Sequence, residues 1–188
     1  MDFGNSEKGF MKPLLIGIAG GKGEGKDTVA QIICNAFLFD SVRMAFADSL
    51  KQECADLLSL TVHEINASKQ VFRPLLQWYG TEYRRQYNGG ESYWVDKLVE
   101  KVNLYDGKIV IIPDVRFPNE YEFIKANGGI MLKVTRDIFR DHLSTHTSET
   151  SLPPEFFKFD FTLVNNGTPE QLTQSVNMLI ENLIKPKL

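Results

Sequence analysis

The stretch GIAGGKGEGKDT, Gly17 to Thr28, constrains the fold of this chain more than any other. It follows the apolar run PLLIGIA, which reads as a buried strand, and it opens DTVAQIICNAFL, which reads as an amphipathic helix. Strand, glycine-rich turn and helix in that order bring a helix N-terminus and a curl of backbone N–H groups to one sheet edge, an arrangement suited to phosphate. Gly20, Gly25 and Lys26 meet the G-x-x-x-x-G-K spacing. Gly20, Gly21, Lys22, Gly23, Glu24 and Gly25 are expected to wrap a triphosphate, with Lys26 as a point charge on its outer phosphates. A purely structural glycine turn is the competing interpretation, and the flanking strand and helix argue against it. Asp27 stands where the pattern asks for a metal-holding hydroxyl, and the hydroxyl comes one place later, at Thr28.

Composition narrows the partners. The chain has 188 residues, 43% hydrophobic, enough for one domain with a sizeable core. A net charge of −3 argues against a nucleic-acid polymer as partner, because such binders carry a broadly basic surface. Small anionic substrates remain compatible. Cys34 and Cys54 lack C-x-x-C spacing and read as core thiols of a reducing compartment. The absence of a transmembrane-length apolar run and of a signal core gives the expectation of a cytoplasmic protein with no membrane partner. Residues 1–10 are polar and read as a flexible extension ahead of a single domain over 11–188.

After the first helix, Val42 to Phe46 reads as a second strand. A helix follows over DSLKQECADLLSL, capped by Asp48 or Ser49, with Leu50, Ala55, Leu57 and Leu58 on one side. Asp48 and Lys51 therefore lie where ligands collect in open α/β sheets, or else Asp48 only caps and Lys51 only meets solvent. VFRPLLQWYGTEYRRQY, Val71 to Tyr87, has helical length and carries Arg73, Arg84 and Arg85, whose planar forks suit phosphate. Its Trp78, Tyr79 and Tyr83 can stack on a base or pack in the core. Gly80 costs such a helix about 1 kcal/mol against alanine and suggests a close approach of another backbone or a ligand, or a break. SYWVDKLVEKVNLY reads as a further core helix.

KIVIIPDV, Lys108 to Val115, is predicted as a central strand ending in Asp114, the usual place for a carboxylate that orients magnesium or its waters. Arg116 follows on the same edge, and an Asp114–Arg116 turn contact is the alternative. A short helix capped by Asn119 leads to the strand GIMLKVTR. The polar segment over 136–152 reads as a lid carrying Arg136 and Arg140, while His142 and His146 make a weak metal signal. FDFTLVNNGT reads as an edge strand whose closing turn, with Asn166, can reach a nucleotide base. A terminal helix follows, with Thr168 as cap and Pro169 in its first turn.

These elements add up to an α/β layer structure with a mostly parallel five-stranded sheet. GKGEGKDTVA, FADSLK, LLQWYGTEYRR, PDVRFPNE and HTSE, in this order, resemble the phage-type deoxynucleoside monophosphate kinases, a branch of the P-loop kinase fold, over about Leu14 to Leu183. GKD in place of GKS or GKT is usual there, so Asp27 supports the resemblance. The resemblance implies a three-layer fold, with residues 47–105 as a helical acceptor-binding region. It implies phosphoryl transfer from ATP to a dNMP with Mg2+ held by Asp27 or Thr28 with Asp114. It implies Lys51, Arg84, Arg85 and Arg116 around the acceptor phosphate, with Asp48 orienting. It further implies Gln77, Trp78 and Thr81 at the base or sugar, and Arg136 and Arg140 at the ATP. A kinase for another small phosphorylated acceptor and a non-catalytic nucleotide-binding module are the alternatives, and homodimerisation stays open.

Overall fold

The computed structural model describes residues 12–137 and 157–188. In chain order it runs β1 (Leu14–Ala19), α1 (Lys26–Ala36), β2 (Ser41–Arg43), α2 (Phe46–Leu58), α3 (Val62–Ala67), α4 (Lys69–Gln77) and a π-helical segment (Trp78–Tyr87). It continues α5 (Tyr93–Val102), β3 (Ile109–Val115), α6 (Pro118–Ala126), β4 (Ile130–Thr135), β5 (Phe161–Val164) and α7 (Pro169–Leu179), with a second π-helical turn over Ile180–Ile184. The five strands form one sheet in the order β2-β3-β1-β4-β5, and every pairing is parallel.

Alternation along the strands explains the three layers. In β1, Leu15 and Ala19 join one apolar cluster while Ile16 and Ile18 join the other. In β3, Val110 and Ile112 follow the first pair, Ile109 and Ile111 the second. A period of two with both faces apolar is what a parallel sheet covered on both sides requires. α1 and α7 cover one face through Val29, Ile33, Leu172 and Val176. α2, α5 and α6 cover the other through Cys54, Ala55, Leu98 and Ile124.

Several expectations need correction. β2 ends at Arg43 rather than Phe46, because α2 begins there: the Phe46 and Ala47 N–H groups donate to Asp114, and the Ala45 N–H donates to Asp48 at 2.9 Å. Asp48 is thus the third residue of α2, reaching back, and neither it nor Ser49 is the cap. Asn119 likewise lies inside α6, which follows Phe117 and is closed by Glu120. Leu57 and Leu58, at the end of α2, are exposed rather than part of its buried side. α3 itself was not foreseen, although Thr61 and Glu64 form a capping box that announces it. β3 is interior but second from the edge, and β1 is the centre. The helix expected over 71–87 changes at Trp78 from α to π winding, whose i→i+5 pattern turns each later side chain to a different bearing.

Candidate active site

The loop between β1 and α1 has the form phosphate demands. Gly23 and Gly25 adopt φ of 79° and 101°, conformations that side chains with a Cβ rarely take. A Cβ on Gly25 would also lie 2.5 Å from Asn165 Nδ2. Asn165, buried at the end of β5, donates to the Glu24 carbonyl at 2.8 Å and so anchors the loop from below. The buried Glu24 carboxylate accepts the Gly21 N–H, and Lys26 Nζ donates to the Gly21 carbonyl at 2.7 Å.

In front of this loop lies a cavity of about 390 Å³, within the range of small-molecule sites. Lys22, Gly23, Lys26 and Asp27 form one end. Lys51, Arg73, Gln77, Thr81, Arg85, Asp114 and Arg116 line it further along, with Leu50, Leu76, Trp94 and Phe117 as apolar wall. Eight cationic side chains face three acidic ones. Burial lowers the Lys51 ammonium from its usual value, with Asp48 opposing that shift. Gly80 contributes bare backbone: a Cβ there would stand 3.0 Å from Leu50 Cδ2, and its carbonyl accepts the Trp94 indole N–H at 2.9 Å. Where another backbone, a ligand or a break is expected at Gly80, its neighbours are instead the side chains of Leu50 and Trp94, both in the cavity wall.

Beneath the cavity, one carboxylate organises two arginine-bearing segments. Glu120 Oε1 receives the Arg85 guanidinium, and Glu120 Oε2 accepts the N–H groups of Arg116 at 2.7 Å and Phe117 at 3.1 Å. Arg85 also donates to the Glu91 carbonyl at 2.8 Å and packs 3.9 Å from the centre of the Phe117 ring. Burial pushes the Glu120 carboxyl up to about 7 and lowers Arg85, whose charge opposes the Glu120 shift.

Some expected residues stand elsewhere. Arg84, the neighbour of Arg85, points away from the cavity: it pairs with Glu53 at 2.7 Å and lies over the rings of Tyr79, Tyr83 and Tyr93. As consecutive helical residues, the two arginines face different sides of the segment. Trp78 is 52% exposed and stacks on Tyr83 rather than facing the cavity. Asp48 and Thr28 do not line the cavity. Asn166 is tied to Asp137 by two hydrogen bonds, and Asn165 is the residue that touches the loop. Arg136 is exposed just past the end of β4, whereas Arg140, His142, His146 and residues 1–10 lie outside the described residues, as does most of 136–152. Arg43, Lys69, Gln70 and Glu120 line the cavity without having been singled out. The end of a strand at the carboxyl edge marked Arg43, which pairs with Asp27 at 2.7 Å. Nothing local marked the other three.

The donors around the loop suit magnesium. Asp27, Thr28 and Asp114 offer hard oxygen atoms, and among the described residues no cluster of three or more His, Cys, Asp or Glu side chains could hold an ion alone. Mg2+ takes most of its oxygens from water and substrate phosphate, so a sparse set fits it. Asp114 already accepts the Phe46 and Ala47 N–H groups at 3.0 and 2.9 Å, and burial raises its carboxyl above the usual range. Each carboxylate oxygen has a second lone pair, which suits a water-mediated role.

A phosphate loop on the central strand of a parallel sheet, opening into a cation-rich cavity with an apolar wall, defines a P-loop phosphotransferase. The profile of the deoxynucleotide monophosphate kinases matches residues 59–176, and the chain belongs to that family. A protein of Acanthamoeba polyphaga mimivirus, provisionally named deoxynucleotide monophosphate kinase, is 31% identical over 191 residues, covering 90% of this chain and 97% of the relative. Mycobacterium tuberculosis APS kinase CysC, solved with AMPPNP and APS, shares the fold at 14% identity and a TM-score of 0.50, over 92% of this chain and 99% of that one. The chain is thus a kinase of deoxynucleoside monophosphates. No described helix is long and apolar enough to cross a membrane.

Proposed function

We propose that the loop Gly20 to Lys26 holds the phosphates of ATP while Lys51, Arg73 and Arg116 receive the phosphate of a dNMP, with Gln77 and Thr81 toward its base or sugar. The observation that carries this assignment is the continuity of one cavity from Lys26 to Thr81, since both reactants must meet in line. An acceptor phosphate oxygen attacks the γ-phosphorus, the bond to the β–γ bridging oxygen breaks, and ADP leaves. The acceptor is already anionic, so no general base is needed, and charge neutralisation by Lys26 and the arginines carries the rate. Arg136, and Arg140 outside the described residues, are the cations assigned to the donor phosphates. Asp27, with Thr28, and Asp114 through water are the residues that would hold Mg2+, which neutralises phosphate charge when bound.

Arg84, Trp78 and Asp48 have no substrate contact in this assignment. We place the reaction in a reducing cytoplasm, a view supported by Cys34 and Cys54, which stand apart as free thiols. The test is an acceptor screen by ADP release with each dNMP, its ribonucleotide counterpart, phosphomevalonate and dephospho-coenzyme A. Turnover with at least one dNMP and none with the last two is expected. Turnover only with those two would overturn the assignment.

A further inference from the structure

We infer that Glu120 is a positioning residue for the acceptor, setting the placement of Arg116 without touching substrate; the inference rests on the site assignment above. The two carboxylate oxygens do separate things. Oε1 takes the guanidinium of Arg85 from the π-helical segment, and Oε2 takes the N–H groups of Arg116 and Phe117 from the turn after β3. Both segments line the acceptor part of the cavity, and Glu120 is 2% exposed. A buried carboxylate is retained only when its acceptor sites are filled, and here they are filled by the Arg85 side chain and by the backbone of the Arg116 turn, the two partners that must agree in position for Arg116 to face the acceptor phosphate.

Arg85 belongs to the same device. Its remaining named bonds go to the Glu91 carbonyl and the Asn119 side chain, and Phe117 covers its planar face. Its charge therefore serves Glu120 and holds the turn, while the acceptor phosphate is left to cations whose heads reach the cavity from Arg116, Arg73 and Lys51. The phosphate loop stands at the other end of the cavity and shares no bond with Glu120. Disturbing the carboxylate should consequently separate the two substrates in their kinetics.

The experiment compares wild type, Glu120→Gln and Glu120→Asp in steady-state assays with the preferred dNMP and with ATP, after thermal melting has identified a temperature at which each is folded. Glutamine offers one carbonyl oxygen, so its NH2 must face either Arg85 or the Arg116 and Phe117 N–H groups, donor against donor. Aspartate keeps the charge but is too short to serve both segments, and it provides the reading if the glutamine variant does not fold. A rise of about tenfold or more in the KM for dNMP, with the KM for ATP nearly unchanged, is expected for either variant. A fall in kcat with both KM values unchanged, or a parallel rise of both, would overturn the inference in favour of a merely structural role. Failure of the wild type to phosphorylate any dNMP would instead remove the site assignment on which the inference rests.

Discussion

Lys26 Nζ donates to a carbonyl of its own loop, Gly21, at 2.7 Å. Replacing it with alanine should lower kcat/KM by about a hundredfold or more, because the ammonium acts on developing phosphate charge. ADP release and a melting curve check this, and near-normal turnover would remove the loop from the mechanism. Arg84 predicts the opposite pattern. Arg84→Met leaves Glu53 without its cation inside a tyrosine cluster and should cost about 1–3 kcal/mol of stability, discounted for partial exposure, in a urea titration. Its KM for dNMP should stay within about twofold of wild type.

Glu120 gives a pH prediction. Its carboxyl is raised from the usual 4.5 to about 7 in the folded protein. Between those values the folded state holds a proton that the unfolded state has released, so the stabilisation is full below about 4.5 and is lost as pH rises through about 7. Asp114, also raised, adds the same sign. Urea midpoints measured across this range should fall with pH, and Glu120→Gln should flatten the slope.

At the scale of elements, what could be foreseen was what depends on neighbours in sequence. The loop, α1, β3, β4 and α7 with its Thr168 cap all follow from local patterns of apolar residues, glycine and capping side chains. The start of α2 and the separation of Arg84 from Arg85 do not. The first depends on Asp114, which is 67 residues away from Ala47, and the second on which carboxylate each arginine meets, Glu53 at a separation of 31 residues for Arg84 and Glu120 at 35 for Arg85. Glu120 was legible as one letter of PNE but not as the partner of Arg85, because that pairing exists only once α6 packs beside the π-helical segment.

Tight element packing also predicts a sensitive turn between α6 and β4. A Cβ on Gly129 would stand 2.8 Å from the carbonyl oxygens of both Ile124 and Leu15, backbone atoms that cannot swing aside. Gly129→Ala should therefore destabilise by about 1–3 kcal/mol in chemical denaturation. An unchanged midpoint would mean that the α6–β4 turn is looser than its contacts indicate.

Over the whole molecule, the formal charge is −3 while the cavity carries eight cationic side chains against three acidic ones, so the remainder of the chain is strongly acidic. Such a distribution focuses an attractive field into the cleft and repels anions elsewhere. Raising the ionic strength from about 0.05 M to about 0.5 M should raise the KM for dNMP, and a flat profile would mean that short-range contacts alone do the capture.

The single cavity that runs from the phosphate loop to Gln77 and Thr81 has a consequence for ligands. Two nucleosides joined by a polyphosphate chain would present the second to the acceptor wall at an effective concentration in the millimolar range once the first is seated. Such a tethered compound would bind far more tightly than either half, and the chain length giving the tightest binding would measure the span across which the phosphoryl group travels.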